Sequence, residues 1–256
     1  MSGARAFSRF SASQAWGGGR GLAGAAVLPR PAWIPVPVVV LGGPRLHGPC
    51  RLLNVAVAAL GLVLAVPLML VIAIVIKVTS PGPVFFTQTR IGIDRRRARP
   101  SGNHRRSADL GGKPFTLYKF RTMVAGGEHR SGAVWARPDD PRITPPGRIL
   151  RKYRLDELPQ LINVLLGDMN VVGPRPEQPE IFTQLREDIR GYGERQRVPP
   201  GITGWAQVHN GYDRSIEDVR RKLRFDLEYV ERRSVLLDLE IMLRTLPVML
   251  FKQNGW

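Results

Sequence analysis

Residues 147–176 read GRILRKYRLDELPQLINVLLGDMNVVGPRP, an acidic pair, Asp156-Glu157, set between a basic approach (Arg148, Arg151, Lys152, Arg154) and a second basic element, Pro174-Arg175-Pro176. From Leu158 the apolar residues fall at 158, 161, 162, 165 and 166, the stripe of an amphipathic helix, and Gly167 stops it. That spacing predicts Asp156 and Glu157 at or just before the first helical turn, where Pro159 has no N–H to lose. Free N–H groups and partial positive charge at such a terminus stabilise a carboxylate and can hold a phosphate. The combination suits phosphoryl transfer: one carboxylate attacks phosphorus, the other holds Mg2+, and arginines neutralise phosphate oxygens. The same residues also admit a structural account, with Asp156 as an N-cap, Glu157 as a first-turn dipole partner and the arginines as a solvated face.

A chain of 256 residues allows one domain with appendages, and 43% hydrophobic residues suffice for a core. With 38 basic against 21 acidic residues the formal net charge is +17, which implies an anionic partner: nucleic acid, an anionic membrane or phosphorylated substrates. No acidic residue precedes Asp94. The single cysteine, Cys50, excludes an internal disulfide and a cysteine-based zinc site, which fits a domain facing a reducing compartment.

Residues 1–50, rich in Gly, Ala, Arg and Pro, read as a disordered amino-terminal segment. Residues 51–78 follow as a membrane segment: Leu52 to Ile76 carries no charge and exceeds the roughly 20 residues needed to cross a bilayer core. Two topologies are open. A single span normally shows its Lys/Arg excess on one side, yet basic residues flank both ends here (Arg45 and Arg51; Lys77 and Arg90), and Pro67 in the middle favours a bend. A re-entrant helix that breaks at Pro67 and returns to the same face satisfies both observations.

Residues 79–256 then form the remaining domain. Ser80-Pro81-Gly82-Pro83 is a turn, and Val84–Ile91 and Phe115–Met123 read as strands from their β-branched and aromatic content. Lys119 and Arg121, two apart, would point to one face, either as a phosphate-facing pair or as a solvated edge. Between the strands, residues 94–112 form a basic loop suited to anionic membrane lipids; no interleaved aromatics or motif of nucleic-acid recognition accompany it, so no nucleic-acid partner is expected. Arg197–Val208 reads as a turn and a short strand carrying Trp205. Ser215 opens a capped helix with Asp218, and Val235–Phe251 suits an interfacial or packing helix.

From about Arg51 to Phe251 these motifs, taken in order, resemble the bacterial sugar transferase family, the monotopic phosphoglycosyl transferases that act on polyprenyl phosphate. The matching segments are SPGPVFFTQTRIG, PFTLYKFRTM, DDPRIT, LRKYRLDELPQLINVLLGDMNVVGPRP, PGITGWAQV and FDLEYVERRSVLLDLEIML. The resemblance implies a mixed α/β (α+β), mostly helical fold: a re-entrant membrane helix packed on a small catalytic domain with amphipathic interfacial helices, at the cytoplasmic face of the bacterial inner membrane. It implies two-step transfer of a sugar phosphate from a nucleotide diphosphate sugar to polyprenyl phosphate, with Asp156 as nucleophile and Glu157 as the Mg2+ ligand. Arg151 and Arg175 match phosphate-contacting arginines, Pro174 and Pro176 flank the latter in a nucleotide-proximal loop, and Lys119, Arg121 and Asp168 lie in matching motifs. The chain departs from the usual pattern at Val66 before Pro67, at Asn54 where an aspartate is common, at Arg154 where a serine is usual, and at Pro199-Pro200.

Two rival accounts have distinct consequences. A non-catalytic, basic, membrane-anchored protein that binds polyanions would tolerate loss of Asp156 and Glu157 and release its partner steeply with salt. A hydrolase using the same carboxylates would need no lipid phosphate.

Overall fold

The computed structural model describes residues 48–94, 111–124, 140–209 and 215–251. Of the segment read as disordered over 1–50, residues 1–47 lie outside them while Pro49 and Cys50 are helical, and most of the basic loop 94–112 and the linker after Val124 also lie outside. Helix α1 runs from Pro49 to Thr79, about 46 Å at 1.5 Å per residue. It extends three residues beyond the charge-free run at each end, starting on a proline suited to the first turn and closing with Ser80 N–H on Ile76 O. Pro67 does not divide it: the proline lies inside one uninterrupted helix, since one missing N–H leaves the neighbouring bonds in place.

One side of α1 is seated on the domain near each end, with Asn54 and Ala58 buried toward its start and Ile72 and Ile76 toward its end. Near its start, Arg51 donates to Val164 O, to Met169 O at 2.7 Å and to Asn170 Oδ1 at 3.0 Å. Asn54, fully buried, donates to Asp238 Oδ2 at 2.8 Å and accepts from Val172 N–H at 2.9 Å. Near its end, Ile72 and Ile76 pack with Phe120 and Leu150. The opposite side, including Leu60, Val63 and Leu64, is exposed.

Strands β1 (Phe85–Ile91) and β2 (Pro114–Phe120) pair antiparallel, with Phe85 opposite Phe120. The second strand stops earlier than its composition suggested. Beyond Phe120 the chain leaves the ladder, and Met123 makes an isolated bridge with Ile143. Strands β3 (Asn170–Val172) and β4 (Gly201–Thr203) form a second, parallel pair. The helices that follow β2 are α2 (Pro145–Lys152), α3 (Gln160–Leu166), α4 (Pro179–Asp188), α5 (Trp205–His209), α6 (Ile216–Arg232) and α7 (Val235–Phe251). The fold is thus mixed and mostly helical, as expected. Trp205 opens α5 instead of lying in a strand, because Val208 N–H turns back onto Gly204 O and starts a helical turn. The cap of α6 forms as its sequence predicts: Ser215 Oγ accepts from Asp218 N–H at 3.1 Å.

The apolar stripe of α3 faces inward only in part: Leu158 and Leu161 pack against the core. Gln160, Asn163 and Val164 are buried, whereas Leu165 and Leu166 are exposed. The sheet edge decides this. Asn163 accepts from Tyr118 N–H at 3.0 Å and donates to Thr116 O at 2.7 Å, giving β2 the partners it lacks on its outer side. Leu236, Leu243 and Leu246 of α7 are likewise exposed, while Leu237 and Ile241 join the core with Val172 and Tyr229.

Candidate active site

The acidic pair occupies its own 3-10 turn, Leu155–Glu157, ahead of α3 instead of the helix's first turn. Glu157 N–H bonds to Arg154 O and Leu158 N–H to Leu155 O, both three residues back. Pro159 then has no N–H to continue the ladder, so the α-helix starts afresh beyond it. Arg154 enters this turn with φ 54°, the one non-glycine at positive φ among the described residues. Both carboxylates are buried.

Glu157 is where the separated basic elements converge. Its Oε1 accepts from Arg175 Nη2 at 2.6 Å and from Lys119 Nζ at 3.0 Å. Arg175 Nη1 and Arg154 Nη1 stand 3.5 Å and 3.8 Å from Oε2. Arg151 approaches from α2, near enough for its charge to act on Asp156, and its Nε donates to Thr122 Oγ1 at 2.8 Å. Close approach of α2 to residue 122 depends on Gly147, since a Cβ there would stand 2.1 Å from Thr122 O.

The two carboxyls are driven apart in acidity. Burial pushes Asp156 up and the neighbouring Glu157 charge adds to it, with Lys119, Arg151 and Arg175 opposing. Burial acts on Glu157 too, but Arg175, Lys119 and Arg154 outweigh it and hold its carboxyl well below the usual range. Such divergence separates the roles of a carboxylate pair. Glu157 is a fixed anion, while Asp156, with no ion pair within 4 Å among the described residues, keeps its oxygens uncommitted.

Mg2+ is usually held by one or two carboxylates together with substrate phosphate oxygens. The described residues contain no cluster of three or more His, Cys, Asp or Glu that would cage a metal unaided. The pocket nonetheless fits that shared mode. Oε1 of Glu157 takes both short bonds, and Oε2, with longer contacts to Arg175 and Arg154 at 3.5 and 3.8 Å, is the oxygen that would hold a cation.

Of the residues singled out in the sequence, Asp156, Glu157, Lys119, Arg151 and Arg175 come together here. Pro174 and Pro176 frame Arg175, and their carbonyls accept from Gly201 N–H at 2.9 Å and Arg90 Nη1 at 3.0 Å. Arg121 lies elsewhere. It donates to Ser80 O at 2.7 Å and Pro81 O at 2.6 Å, tying down the exit from α1. It diverges from Lys119 because the strand ends between them, at Phe120. Asp168 stands against Lys113 at 3.6 Å, outside the pocket, and Pro67 is remote within α1. Thr122 escaped the sequence reading; its place right after Arg121 in the FRTM motif was the available signal.

The family described as "Bacterial sugar transferase" matches residues 48–252, most of the chain and every element above. The chain belongs to the bacterial sugar transferase family. Among curated members of this family, it is 40% identical over 200 residues to a UDP-N-acetylgalactosamine-undecaprenyl-phosphate N-acetylgalactosaminephosphotransferase of Aeromonas hydrophila, covering 78% of this chain and 43% of that protein. It is 41% identical over 216 residues to a UDP-glucose:undecaprenyl-phosphate glucose-1-phosphate transferase of Escherichia coli (strain K12), covering 82% and 43%. A protein of the same description from Caulobacter vibrioides is 40% identical over 208 residues, covering 80% and 71%. This sugar transferase chain therefore spans less than half the length of the first two relatives and most of the third.

Proposed function

We propose that this chain transfers a sugar 1-phosphate from a nucleotide diphosphate sugar, a UDP-hexose, to polyprenyl (undecaprenyl) phosphate through a sugar-phosphoryl aspartate at Asp156, starting a lipid-linked glycan such as an exopolysaccharide or O-antigen. The observation that carries this reading is the split within the acidic pair: Glu157 is bound by Arg175 and Lys119, while the adjacent Asp156 is left with uncommitted oxygens. The printed activities of the relatives support the same donor and acceptor classes.

In the first step an Asp156 oxygen attacks the β-phosphorus of the donor. The bond from that phosphorus to the bridging oxygen breaks, and nucleoside monophosphate leaves with the electron pair. Arg175, Lys119 and Arg151 neutralise charge that builds on the phosphate oxygens. In the second step an oxygen of the lipid phosphate attacks the same phosphorus and the Asp156 carboxylate is expelled, giving polyprenyl diphosphate sugar. Splitting the exchange this way predicts ping-pong kinetics. Mg2+, when bound, would be held by Glu157 with diphosphate oxygens and would offset their charge.

The reading places this chemistry at the cytoplasmic face of the bacterial inner membrane, where anionic lipids would meet the basic surface. Both ends of α1 dock on one domain, through Arg51 and Asn54 at one end and Ile72 and Ile76 at the other, while its outer side exposes Leu60, Val63 and Leu64. This supports a helix that enters the bilayer and keeps both ends on one face. The deciding experiment measures nucleoside monophosphate release from a panel of UDP-sugars by purified protein with Mg2+, with and without undecaprenyl phosphate. Lipid-dependent turnover is expected; release that needs only water would mean a hydrolase.

A further inference from the structure

We propose that Arg195 is a positioning residue that holds the main chain of Arg175 so that its guanidinium stays on Glu157 and faces the donor phosphates. This rests on the transferase reading above. Every carbonyl of the loop that carries Arg175 is pinned by another element. Pro174 O accepts from Gly201 N–H at 2.9 Å, Arg175 O from Arg195 Nη2 at 2.9 Å, Pro176 O from Arg90 Nη1 at 3.0 Å and Glu177 O from Ile91 N–H at 3.0 Å. The two prolines restrict their own φ, and a proline also restricts the residue before it. The bond at Arg175 O therefore sets the remaining freedom of the peptide from which the functional side chain springs.

The donor of that bond is buried to an unusual degree for an arginine, at 1% exposure. A lone charge there would be costly, and the structure surrounds it with partners. Arg195 Nη1 donates to Tyr192 Oη at 2.8 Å and lies 3.3 Å from Glu177 Oε1. Nη2 lies 2.7 Å from Asp226 Oδ2 on α6, as an ion pair whose alignment falls short of a hydrogen bond. Lys222 Nζ, one helical turn earlier, closes the ring on Glu177 at 3.0 Å. The guanidinium is thus clamped from two sides before it touches the loop, and a clamped donor transmits its position to the Arg175 carbonyl. None of these groups reaches Asp156 or Glu157, so Arg195 acts through Arg175 and not on the substrate.

The test compares Arg195→Lys, Arg175→Ala and the double variant with wild type. Lysine keeps the charge between Glu177 and Asp226, but its single nitrogen cannot also serve the Arg175 carbonyl in the same geometry. The expected result is a 10- to 100-fold loss of kcat/KM, on the order that misplacement of a functional group costs. In the Arg175→Ala background the same change should add less than about 2-fold, because the group it positions is gone. An equal loss in both backgrounds, as a merely structural role would give, or unchanged kcat/KM in the single variant, overturns the proposal. If Arg195→Lys does not fold, Tyr192→Phe removes one clamp and leaves the charges; a smaller loss with the same non-additivity is expected, and an additive loss overturns it. UDP affinity measured by calorimetry reads positioning without turnover: non-additive weakening supports it and additive weakening overturns it. Wild-type protein that binds UDP but releases no monophosphate from any donor would overturn the transferase reading alone.

Discussion

Arg175 Nη2 lies 2.6 Å from Glu157 Oε1, although the two residues stand 18 positions apart and belong to different turns. This contact joins the acidic turn and the proline-flanked loop into one electrostatic unit. It also anchors one carboxylate of the pair among cations, while the other keeps no ion pair within 4 Å among the described residues. Arg175 is partly solvent-exposed while Glu157 is buried, so the contact presents a positive surface outward over a buried anion.

Replacing Asp156 by Asn keeps the side-chain volume and removes the nucleophile, so monophosphate release should fall to background while the fold stays intact. Burial raises the pKa of Asp156, meaning that the native state holds this proton more tightly than the unfolded chain. Its contribution to stability therefore falls as pH rises through the raised value. The Asn variant should melt at or above wild type at pH 7, with the gap closing in acid. Loss of the circular-dichroism signal or retained turnover would contradict the assignment.

The rate should respond to pH through the same group. Attack requires ionised Asp156, so the acid limb of kcat is expected above the ordinary aspartate range near about 3.9. Glu157 works in the opposite sense: its lowered value adds stability that is present above the ordinary glutamate range and lost as pH falls through the folded value. Glu157→Gln should thus abolish turnover and cost about 2 kcal/mol at pH 7, less than a fully buried pair because Arg175 keeps access to water. Kinetics and melting across pH 3–9 would check both.

Lys119 and Arg121 should separate cleanly. Lys119→Gln removes a partner of Glu157 and should raise the donor KM about 10-fold or more. Arg121→Gln removes the donor to Ser80 O and Pro81 O, so it should lower the melting temperature with donor KM unchanged. A shifted KM in the Arg121 variant would return that residue to the phosphate site.

Asn54 joins α1 to the domain by bonding both Asp238 and Val172 N–H in a buried setting. Asn54→Leu leaves both groups without this partner and should cost about 2–4 kcal/mol. Thermal unfolding in detergent would measure it. A variant as stable as wild type would show that apolar packing alone seats the helix.

Topology can be read with the native cysteine. Cys50, half-buried, lies near the start of α1, and Val78, 81% exposed, lies near its end. In sealed inverted vesicles an impermeant thiol reagent should reach Cys50 in wild type and Cys at position 78 in the Cys50→Ser, Val78→Cys protein from the same side. Opposite sides would mean a span.

Several elements were legible from local sequence because their causes are local. The long apolar run became α1, the aromatic and β-branched stretches became β1 and β2, and the Ser215 cap opened α6, each dictated by neighbours within a few residues. The acidic pair and its basic companions were also visible as residue types in order. Only the tertiary structure decided their partners. It turned α3 by giving Asn163 to the edge of β2, sent Arg121 to carbonyls beyond α1 while Lys119 went to Glu157, and buried Arg195 behind Arg175. Periodicity records which residues share a face, but not what that face meets. Which cation reaches which carboxylate depends on chain segments brought together by packing, because a buried charge is held only where an opposite charge or a hydrogen-bonding group arrives from elsewhere in the fold.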